Sequence, residues 1–357
     1  MDTAAILTID GSHGEGGGQI LRTALTLSAM TGRPIRIVDI RARRRNPGLL
    51  PQHLSAVRAA AAITDAILSG DQLGSNELIF APTRRPQSGS YLFDVAEIAG
   101  HGSAGSSILI LQTVLVPLAL ALAPSTIVVR GGTHLEWAPA YDDFVHAYLP
   151  ALRRMGLSID AELVSWGWYP AGGGEVRCSL AGIQGNWAPE PIEAVERGPL
   201  LRIAGRAVAA NLPAHICQRM SDRARAALSD LGVPVQIEAL RVKAVCPGAG
   251  VFLLAEYKDS LTASFSALGR QGKPSEEVAE EAAFALRAHH VSGAAVELHL
   301  ADQILVPLSV AAGPSHFTTA QPTAHLATNA WTIEQFGIAR IVIEQNGLTH
   351  VRVEPSR

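Results

Sequence analysis

The stretch ILTIDG (6–11) runs through GEGGG (14–18) into QILRTALTLSAMTG (19–32), and this order decides the fold. An extended segment, a Gly-rich turn and an apolar helix predict a strand–loop–helix unit. The β-rich PIRIVDI (34–40) follows, then a second helix over about 50–64 and two further strands, ILSG and ELIFAP. The unit therefore has the pattern βαβαββ, a small sheet with two helices on one face.

A second unit of the same pattern begins at YLFDVAEIAG (91–100). Its remaining elements come in the same order: the Gly-rich HGSAGSS (101–107), a helix over 106–123, STIVVRGG (125–132), a helix over 141–155, and strands near 157–164 and 174–180. Gly17 and Gly105 open equivalent helices and lie 88 residues apart.

A third copy is indicated by QILV (303–306), which resembles QILR (19–22) at a distance of 284 residues. Its other elements are a strand near 315–320, a helix over 324–336, and strands at 339–345 and 349–355. Two periods of 88 leave about 108 residues over, which an insertion at 188–292 explains. We therefore expect an α/β (α+β) fold. Three βαβαββ repeats (1–187 and 293–357) form a large domain, and the third carries a smaller inserted α/β domain (188–292).

Charge and composition exclude several classes of protein. The 357 residues are 48% hydrophobic and 17% charged, which is typical of a globular protein. The net charge is −3, whereas a protein that coats long nucleic acids is typically strongly basic. Of the 29 basic residues only three are lysines (Lys243, Lys258 and Lys273), and all three fall in the expected insert. A P-loop, which requires a lysine, is therefore excluded from the repeats.

The cysteines and the apolar run at 108–123 indicate the compartment. Cys178, Cys217 and Cys246 are scattered without a CxxC pair, which argues against a zinc site or a disulfide framework and favours a cytoplasmic protein. The run of 16 apolar residues contains Gln112 and Pro117 and is short for a membrane span. A buried core helix is the favoured interpretation, and we expect no membrane partner.

Two stretches are candidate phosphate sites. Within DGSHGEGGGQ (10–19), four glycines fall in the five positions 14–18 between a strand and a helix, where backbone N–H groups and the helix dipole attract anions and Glu15 could hold a cation. The alternative is a tight turn with packing glycines. Six arginines then cluster over 33–45, and arginine forks match phosphate oxygens, although a solvated loop is the alternative.

Two further candidates lie in the third repeat. Asp302 and Gln303 precede an apolar helix, which predicts either a buried hydrogen-bonded pair or a helix cap by Asp302. His325 lies at a predicted helix start within AHLATN (324–329). An isolated histidine is more often a satisfied core or surface residue than a functional one.

Together these motifs resemble the RNA 3′-terminal phosphate cyclase family over essentially the whole chain. The motifs that carry the resemblance are DGSHGEGGGQILR (10–22), RNPGLLPQHL (45–54), GSAGSSILILQT (102–113), RGGTHLEWAP (130–139), PAGGGEV (170–176), HLADQ (299–303) and AHLATN (324–329). The resemblance implies that ATP and Mg²⁺ or Mn²⁺ convert an RNA 3′-phosphate into a 2′,3′-cyclic phosphate. It also implies a covalent histidine–AMP intermediate.

The resemblance assigns roles to residues by position. His325 matches the nucleophile and Glu15 the metal residue. Residues matching the adenylate pocket are Gln112, Pro139, His299, Leu300, Ala301, Asp302 and Gln303. Residues matching the grip on phosphates or the RNA end are Gln19, Arg22, Arg41, Arg44 and Gln52. His299 stands where many family members have tyrosine, so its protonation could influence nucleotide binding.

Two alternatives remain. A non-catalytic relative that serves as a ribosome-assembly platform would lack the nucleophile, whereas His325 is present. An enolpyruvyl transferase built from similar repeats would need lysines in the repeat body, which are missing. The expected partner is an RNA 3′-phosphate end, and the oligomeric state stays open, with a homodimer as one option.

Overall fold

The computed structural model describes residues 6–99, 104–183, 185 and 187–356, and three of its sheets repeat one strand order. In each of these sheets the first and second strands of the repeat are parallel neighbours. The fourth strand pairs antiparallel with the second, and the third strand pairs antiparallel with the fourth. The chain is thus a mixed α/β protein, as the sequence predicts. Residue 100 and the beginning of the second Gly-rich segment (101–103) lie outside the described residues.

The first repeat illustrates why these segments form these elements. Ile35 and Ile37 are buried and Arg36 between them is exposed, the alternation of a strand with one face on a core. The first helix ends at Gly32, whose φ of 71° suits a left-handed cap. Its elements are β1 (Leu7–Asp10), α1 (Gly18–Thr31), β2 (Ile35–Val38), α2 (Pro51–Thr64), β3 (Ile67–Ser69) and β4 (Leu78–Ala81).

The second repeat contains the apolar run, which forms a helix buried in the protein core. Its elements are β5 (Ser90–Asp94), α3 (Ala96–Ala99), α4 (Ser107–Ala119), β6 (Ser125–Gly131), α5 (Tyr141–Asp143), a π-helical turn (Phe144–Tyr148), α6 (Leu149–Arg154), β7 (Ile159–Ser165) and β8 (Gly174–Leu180). The hydroxyl of Ser106 caps α4 by accepting from the N–H of Leu109. No helix among the described residues has the length and apolarity needed to cross a membrane.

The remaining chain forms the third repeat and a fourth sheet. Its elements are β9 (Glu193–Ala194), β10 (Leu200–Ala210), α7 (Ala214–Leu228), β11 (Val235–Val242), β12 (Gly248–Tyr257), β13 (Ala263–Leu268), α8 (Ser275–Ser292), α9 (Leu298–Gln303), α10 (Leu305–Leu308), β14 (Ser315–Thr319), α11 (Ala324–Phe336), β15 (Ala339–Asn346) and β16 (Leu348–Pro355). The sheet β11-β10-β12-β13 lies wholly between β9 and α9 in the sequence.

Two features of the third repeat differ from the sequence analysis. β9 pairs in parallel with β14, so residues 193–194, which fall within the expected insert, belong to the third sheet. The strands β2, β6 and β14 begin at Ile35, Ser125 and Ser315, so the first and third copies are 280 residues apart. The expected offset of 284 is wrong by about one helical turn, because QILV and QILR match in composition and not in position.

Two apolar cores hold the chain together. One is shared by all three repeats, where α1 packs against α2, α4 and α11. The second lies between the β10–β13 sheet and the helices α7 and α8. A smaller cluster joins the second repeat to this sheet and consists of Ala140, Trp168, Val208, Ala210 and Phe252. The packing of α1 on α11 is what brings the Gly-rich loop to His325.

Candidate active site

The Gly-rich loop of the first repeat packs directly on the first turns of α11. A Cβ atom at Gly14 would lie 2.5 Å from Oγ1 of Thr328, and the N–H of Glu15 points to the same oxygen at 3.4 Å. Gly14 and Gly16 have φ values of 55° and 60°, which glycine adopts without strain. The loop therefore reaches α11 only because glycine is present at the contact.

His325 lies in the first turn of α11 and contacts this loop. The helix is capped by Thr323, whose hydroxyl accepts from the N–H of Leu326. Nδ1 of His325 lies 2.8 Å from Oε2 of Glu15 and also contacts Oε1 of Gln19. The His325 side chain is 45% exposed, so one edge is held by the protein and the ring remains accessible.

The surroundings of His325 keep its imidazole neutral at pH 7. Burial lowers its pKa, Glu15 raises it, and the positive charges of Arg22, His299 and Arg44 lower it further. The carboxylate of Glu15 assigns the proton of the neutral ring to Nδ1. Nε2 then carries the free electron pair that a nucleophile needs.

Two arginines surround Glu15. Arg44 forms an ion pair with Oε1 of Glu15. Burial lowers the pKa of Arg22 to about 10, while the charges of Asp302 and Glu15 oppose the shift, so the guanidinium stays charged at neutral pH. A cationic pair beside the first turns of two helices is suited to the phosphates of a nucleotide or an RNA end.

His53 belongs to the same cluster, although the sequence analysis assigned it no role. Its side chain is buried, and Nδ1 accepts from the N–H of Leu50 at the start of α2. Burial and the charges of Arg22 and Arg41 lower its pKa to about 3. A Cβ at Gly18 would lie 2.4 Å from Nε2 of His53, so this glycine is needed for α1 and α2 to approach. His53 lies within the motif RNPGLLPQHL (45–54), but nothing in that motif indicates that its side chain is buried.

Helix α9 presents a second set of ionisable groups. The side chain of Glu297 caps the helix by accepting from the N–H groups of His299 and Leu300. Asp302 lies inside α9 and the N-cap of α10 is Ile304, so the alternative of a helix cap by Asp302 is wrong. Glu297 also holds Nδ1 of His299 at 2.8 Å and raises the pKa of that imidazole to about 9. Asp302 is buried, and burial raises its pKa to about 7. Glu297 was not predictable from the sequence, because no motif marks it.

Amide side chains join the repeats beneath the site. Nε2 of Gln112 donates to Oε1 of Gln303 at 2.8 Å, which links α4 to α9. The Asn329 side chain bonds to the Thr23 hydroxyl and donates to the carbonyl of Asp302 at 2.8 Å. Two further residues matching the adenylate pocket, Leu300 and Ala301, are buried in α9. These contacts fix α1, α4, α9 and α11 relative to one another.

The other predicted site residues lie on separate segments. Arg41 has a φ of 54° and donates to the carbonyls of Asn46 at 2.5 Å and Gly48 at 3.1 Å, so it stabilises its own loop. Cβ of Gln52 would lie 3.1 Å from a Cβ at Gly105, which places the start of α2 beside the second Gly-rich segment. Pro139 directly precedes Ala140, the N-cap of α5. None of these three hydrogen-bonds to His325 within the described residues.

The side chains around His325 do not by themselves form a metal-binding site. Among the described residues, no group of three or more His, Cys, Asp or Glu side chains is arranged to hold a metal ion. Mg²⁺ is commonly bound through one or two carboxylates together with substrate phosphates and water. Glu15 next to the arginines fits that manner of binding, in which the phosphates supply most ligands.

Comparison with known proteins identifies the family of this chain. Residues 13–343 match the family described as RNA 3′-terminal phosphate cyclase. Three relatives carry the name RNA 3′-terminal phosphate cyclase. The Methylococcus capsulatus protein is 50% identical over 98% of both chains. That of Gloeothece citriformis is 50% identical over 94% of this chain and 95% of its own. That of Pyrobaculum neutrophilum is 41% identical over 96% of both.

A solved structure, the enolpyruvyl transferase NikO from Streptomyces tendae, covers 50% of this chain and 33% of its own. Its sequence is 13% identical and its TM-score is 0.28, a likeness too small to bear on activity. The family match and the relatives span nearly the whole chain. The chain belongs to the RNA 3′-terminal phosphate cyclase family.

Proposed function

We propose that this chain uses ATP and Mg²⁺ or Mn²⁺ to convert an RNA 3′-phosphate into a 2′,3′-cyclic phosphate through a covalent AMP on His325. The observation that carries the proposal is the contact of Nδ1 of His325 with Glu15 and Gln19, which leaves Nε2 free in a cationic setting. Family membership supports the overall reaction. The histidine–AMP route rests on this geometry.

In the first step Nε2 of His325 attacks the α-phosphorus of ATP. The Nε2–P bond forms, the bond from the α-phosphorus to the bridging oxygen breaks, and diphosphate leaves. The ring keeps its Nδ1 proton and becomes cationic, and the carboxylate of Glu15 at 2.8 Å stabilises that charge. A divalent ion bound by the phosphates would neutralise part of their negative charge.

Two further steps would complete the reaction. An oxygen of the RNA 3′-phosphate attacks the adenylyl phosphorus, the Nε2–P bond breaks, and a mixed anhydride forms. The neighbouring 2′-hydroxyl then attacks the 3′-phosphorus, loses its proton, and AMP leaves. The last attack is intramolecular and needs no second substrate to be positioned. Arg22, Arg41, Arg44 and Gln52 are proposed to hold the RNA phosphate.

The adenylate is proposed to bind beside α9. His299 is 78% exposed at the start of this helix, where its imidazole can stack on adenine, and Pro139 is proposed to contact the opposite face. Gln112, Leu300, Ala301, Asp302 and Gln303 form the wall behind it. An RNA substrate and the unpaired thiols of all three cysteines favour the cytoplasm as the place of action.

Covalent labelling tests the proposal. The wild type incubated with α-phosphate-labelled ATP and Mg²⁺ or Mn²⁺ should become labelled, and His325→Ala should not. His215→Ala is a matched control, because His215 also occupies the second position of a helix, α7, and is exposed. Full labelling of His325→Ala would refute the assignment. A folded wild type that never labels would favour the non-catalytic platform.

A further inference from the structure

Trp137 combines an exposed side chain with an unfavourable backbone conformation. It is 97% exposed and has a φ of 65°, a left-handed backbone conformation that costs energy for a bulky residue. Strained residues persist only where the surroundings enforce them, and they concentrate at ligand sites. The mechanism described above makes no use of this side chain.

The loop that presents Trp137 is anchored on both sides. His134 is buried, its Nε2 lies 2.9 Å from Oδ2 of Asp142, and its ring stacks against both Trp166 and Trp168 at centroid distances of 4.6 and 5.0 Å. The N–H groups of Thr133 and His134 both donate to the carbonyl of Gly167. The exposure of Trp137 is therefore a property of an ordered loop.

This loop is connected at both ends to elements of the candidate site. It begins at Gly132, which is hydrogen-bonded to Gly105 and Ser107 at the start of α4. It ends at Ala140, the N-cap of α5. The π-helical turn that follows α5 packs against α9, the helix that carries His299. Trp137 thus lies in a loop that is hydrogen-bonded at one end to the start of α4, the helix of Gln112, and that continues at the other end into the segment packed on α9.

We propose that Trp137 stacks on a nucleobase near the 3′ end of the bound RNA. This inference rests on the proposed cyclase function and adds a base contact to it. Unpaired RNA bases are commonly bound by stacking on aromatic side chains. Glu136 beside it is exposed, so an acidic side chain adjoins the indole, whereas a protein-binding patch is typically a contiguous apolar surface. With a net charge of −3, the chain cannot rely on a basic surface to retain RNA.

Binding of a short, labelled RNA with a 3′-phosphate, measured by fluorescence anisotropy, tests this inference without requiring turnover. Trp137→Ala should weaken binding by about 5-fold to 150-fold, the range for losing one base–aromatic stack. Trp137→Phe should restore most of it. Three further RNAs each lack the base of one nucleotide, the first, second or third from the 3′ end. One of these three RNAs should bind the wild type and Trp137→Ala equally well, because it lacks the base that stacks on Trp137.

Self-adenylylation with ATP provides the second readout. Trp137→Ala should adenylylate at the wild-type rate with an unchanged KM for ATP, because the stack involves RNA only. A raised KM for ATP with unchanged RNA binding would overturn the inference and place Trp137 on adenine. Equal effects of Trp137→Ala on every RNA, with or without its bases, would also overturn it. Failure of the proposed function is distinguishable, since it would abolish wild-type labelling while leaving RNA binding measurable.

Discussion

Nδ1 of His325 lies 2.8 Å from Oε2 of Glu15, although the two residues belong to the third and the first repeat. Gln19, in the first turn of α1, contacts the same nitrogen. The orientation of the imidazole therefore depends on the packing of α1 on α11. Neither repeat alone contains the complete arrangement.

Glu15→Gln should slow self-adenylylation and shift its pH dependence. Loss of a charged hydrogen bond is typically equivalent to about 1.5–3 kcal/mol, or about a 10-fold decrease or more in rate. The neutral imidazole is the reactive form, so the rate falls as the pH drops through the pKa of His325. Glu15 raises that pKa, and its removal should move the acid limb to lower pH. Initial labelling rates across the acid range measure both effects.

The control for this variant is Glu77→Gln. Glu77 also pairs with an arginine of the first repeat, Arg36, but on the solvent-exposed face of β2. Its rate and pH profile should equal those of the wild type. An acid limb that moves to higher pH in Glu15→Gln, or does not move, would contradict the role of Glu15 at Nδ1.

His299 should make ATP binding sensitive to alkaline pH. Glu297 raises the pKa of His299 to about 9, so the imidazolium present at neutral pH loses its charge as the pH rises through that value. A cation on the face of adenine, or close to phosphate, binds more tightly than a neutral ring. The KM for ATP should therefore rise between about pH 8 and pH 10.

His299→Tyr tests the origin of that dependence, because tyrosine keeps the aromatic face without a charge at neutral pH. Its KM for ATP should change little below about pH 9, and the difference between the variant and the wild type should be largest near neutrality. An unchanged alkaline rise in His299→Tyr would assign the titration to another group.

The repeat pattern was predictable because each copy alternates apolar and polar residues over whole strands. β9 was not predictable, since Glu193–Ala194 is two residues long and becomes a strand only by pairing with β14. β13 (Ala263–Leu268) was also missed, because small residues give it a weak strand pattern. The error of four residues in the third copy has the same origin: local likeness does not determine position in a sheet.

For the site, the sequence identified residue types and left their contacts open. His325 and Glu15 were both candidates, yet 310 positions separate them, and only the fold brings them within 2.8 Å. His53 and Glu297 act through burial and through partners on the same helix, which no spacing rule reveals. Arg41 is expected to bind phosphate, and the hydrogen bonds that it donates to carbonyls of its own loop carry no signal in the sequence.

Arg41→Gln should separate the two halves of the reaction. Glutamine can still donate to the carbonyls of Asn46 and Gly48, so the loop is retained and the charge is lost. Self-adenylylation should stay near the wild-type rate, whereas transfer of AMP from the preformed covalent enzyme to RNA should fall about 10-fold or more. The control is Arg43→Gln, because Arg43 is an exposed neighbour to which the family resemblance assigns no role. Equal losses in both steps would contradict a role for Arg41 on the RNA phosphate.

Arg206 should contribute far more to stability than Arg202, although both lie on β10 and pair with a carboxylate. Arg206 donates to both oxygens of the buried Asp142 at 2.5 and 2.9 Å, whereas Arg202 pairs with Glu256 on the surface. Burial raises the pKa of Asp142, and the bonds from His134 and Arg206 outweigh it, so the carboxylate is charged. Arg206→Met should lower the free energy of unfolding by about 3 kcal/mol, because a buried charge loses its partner. Arg202→Met should cost about 1 kcal/mol or less, and equal urea midpoints for the two variants would contradict the argument.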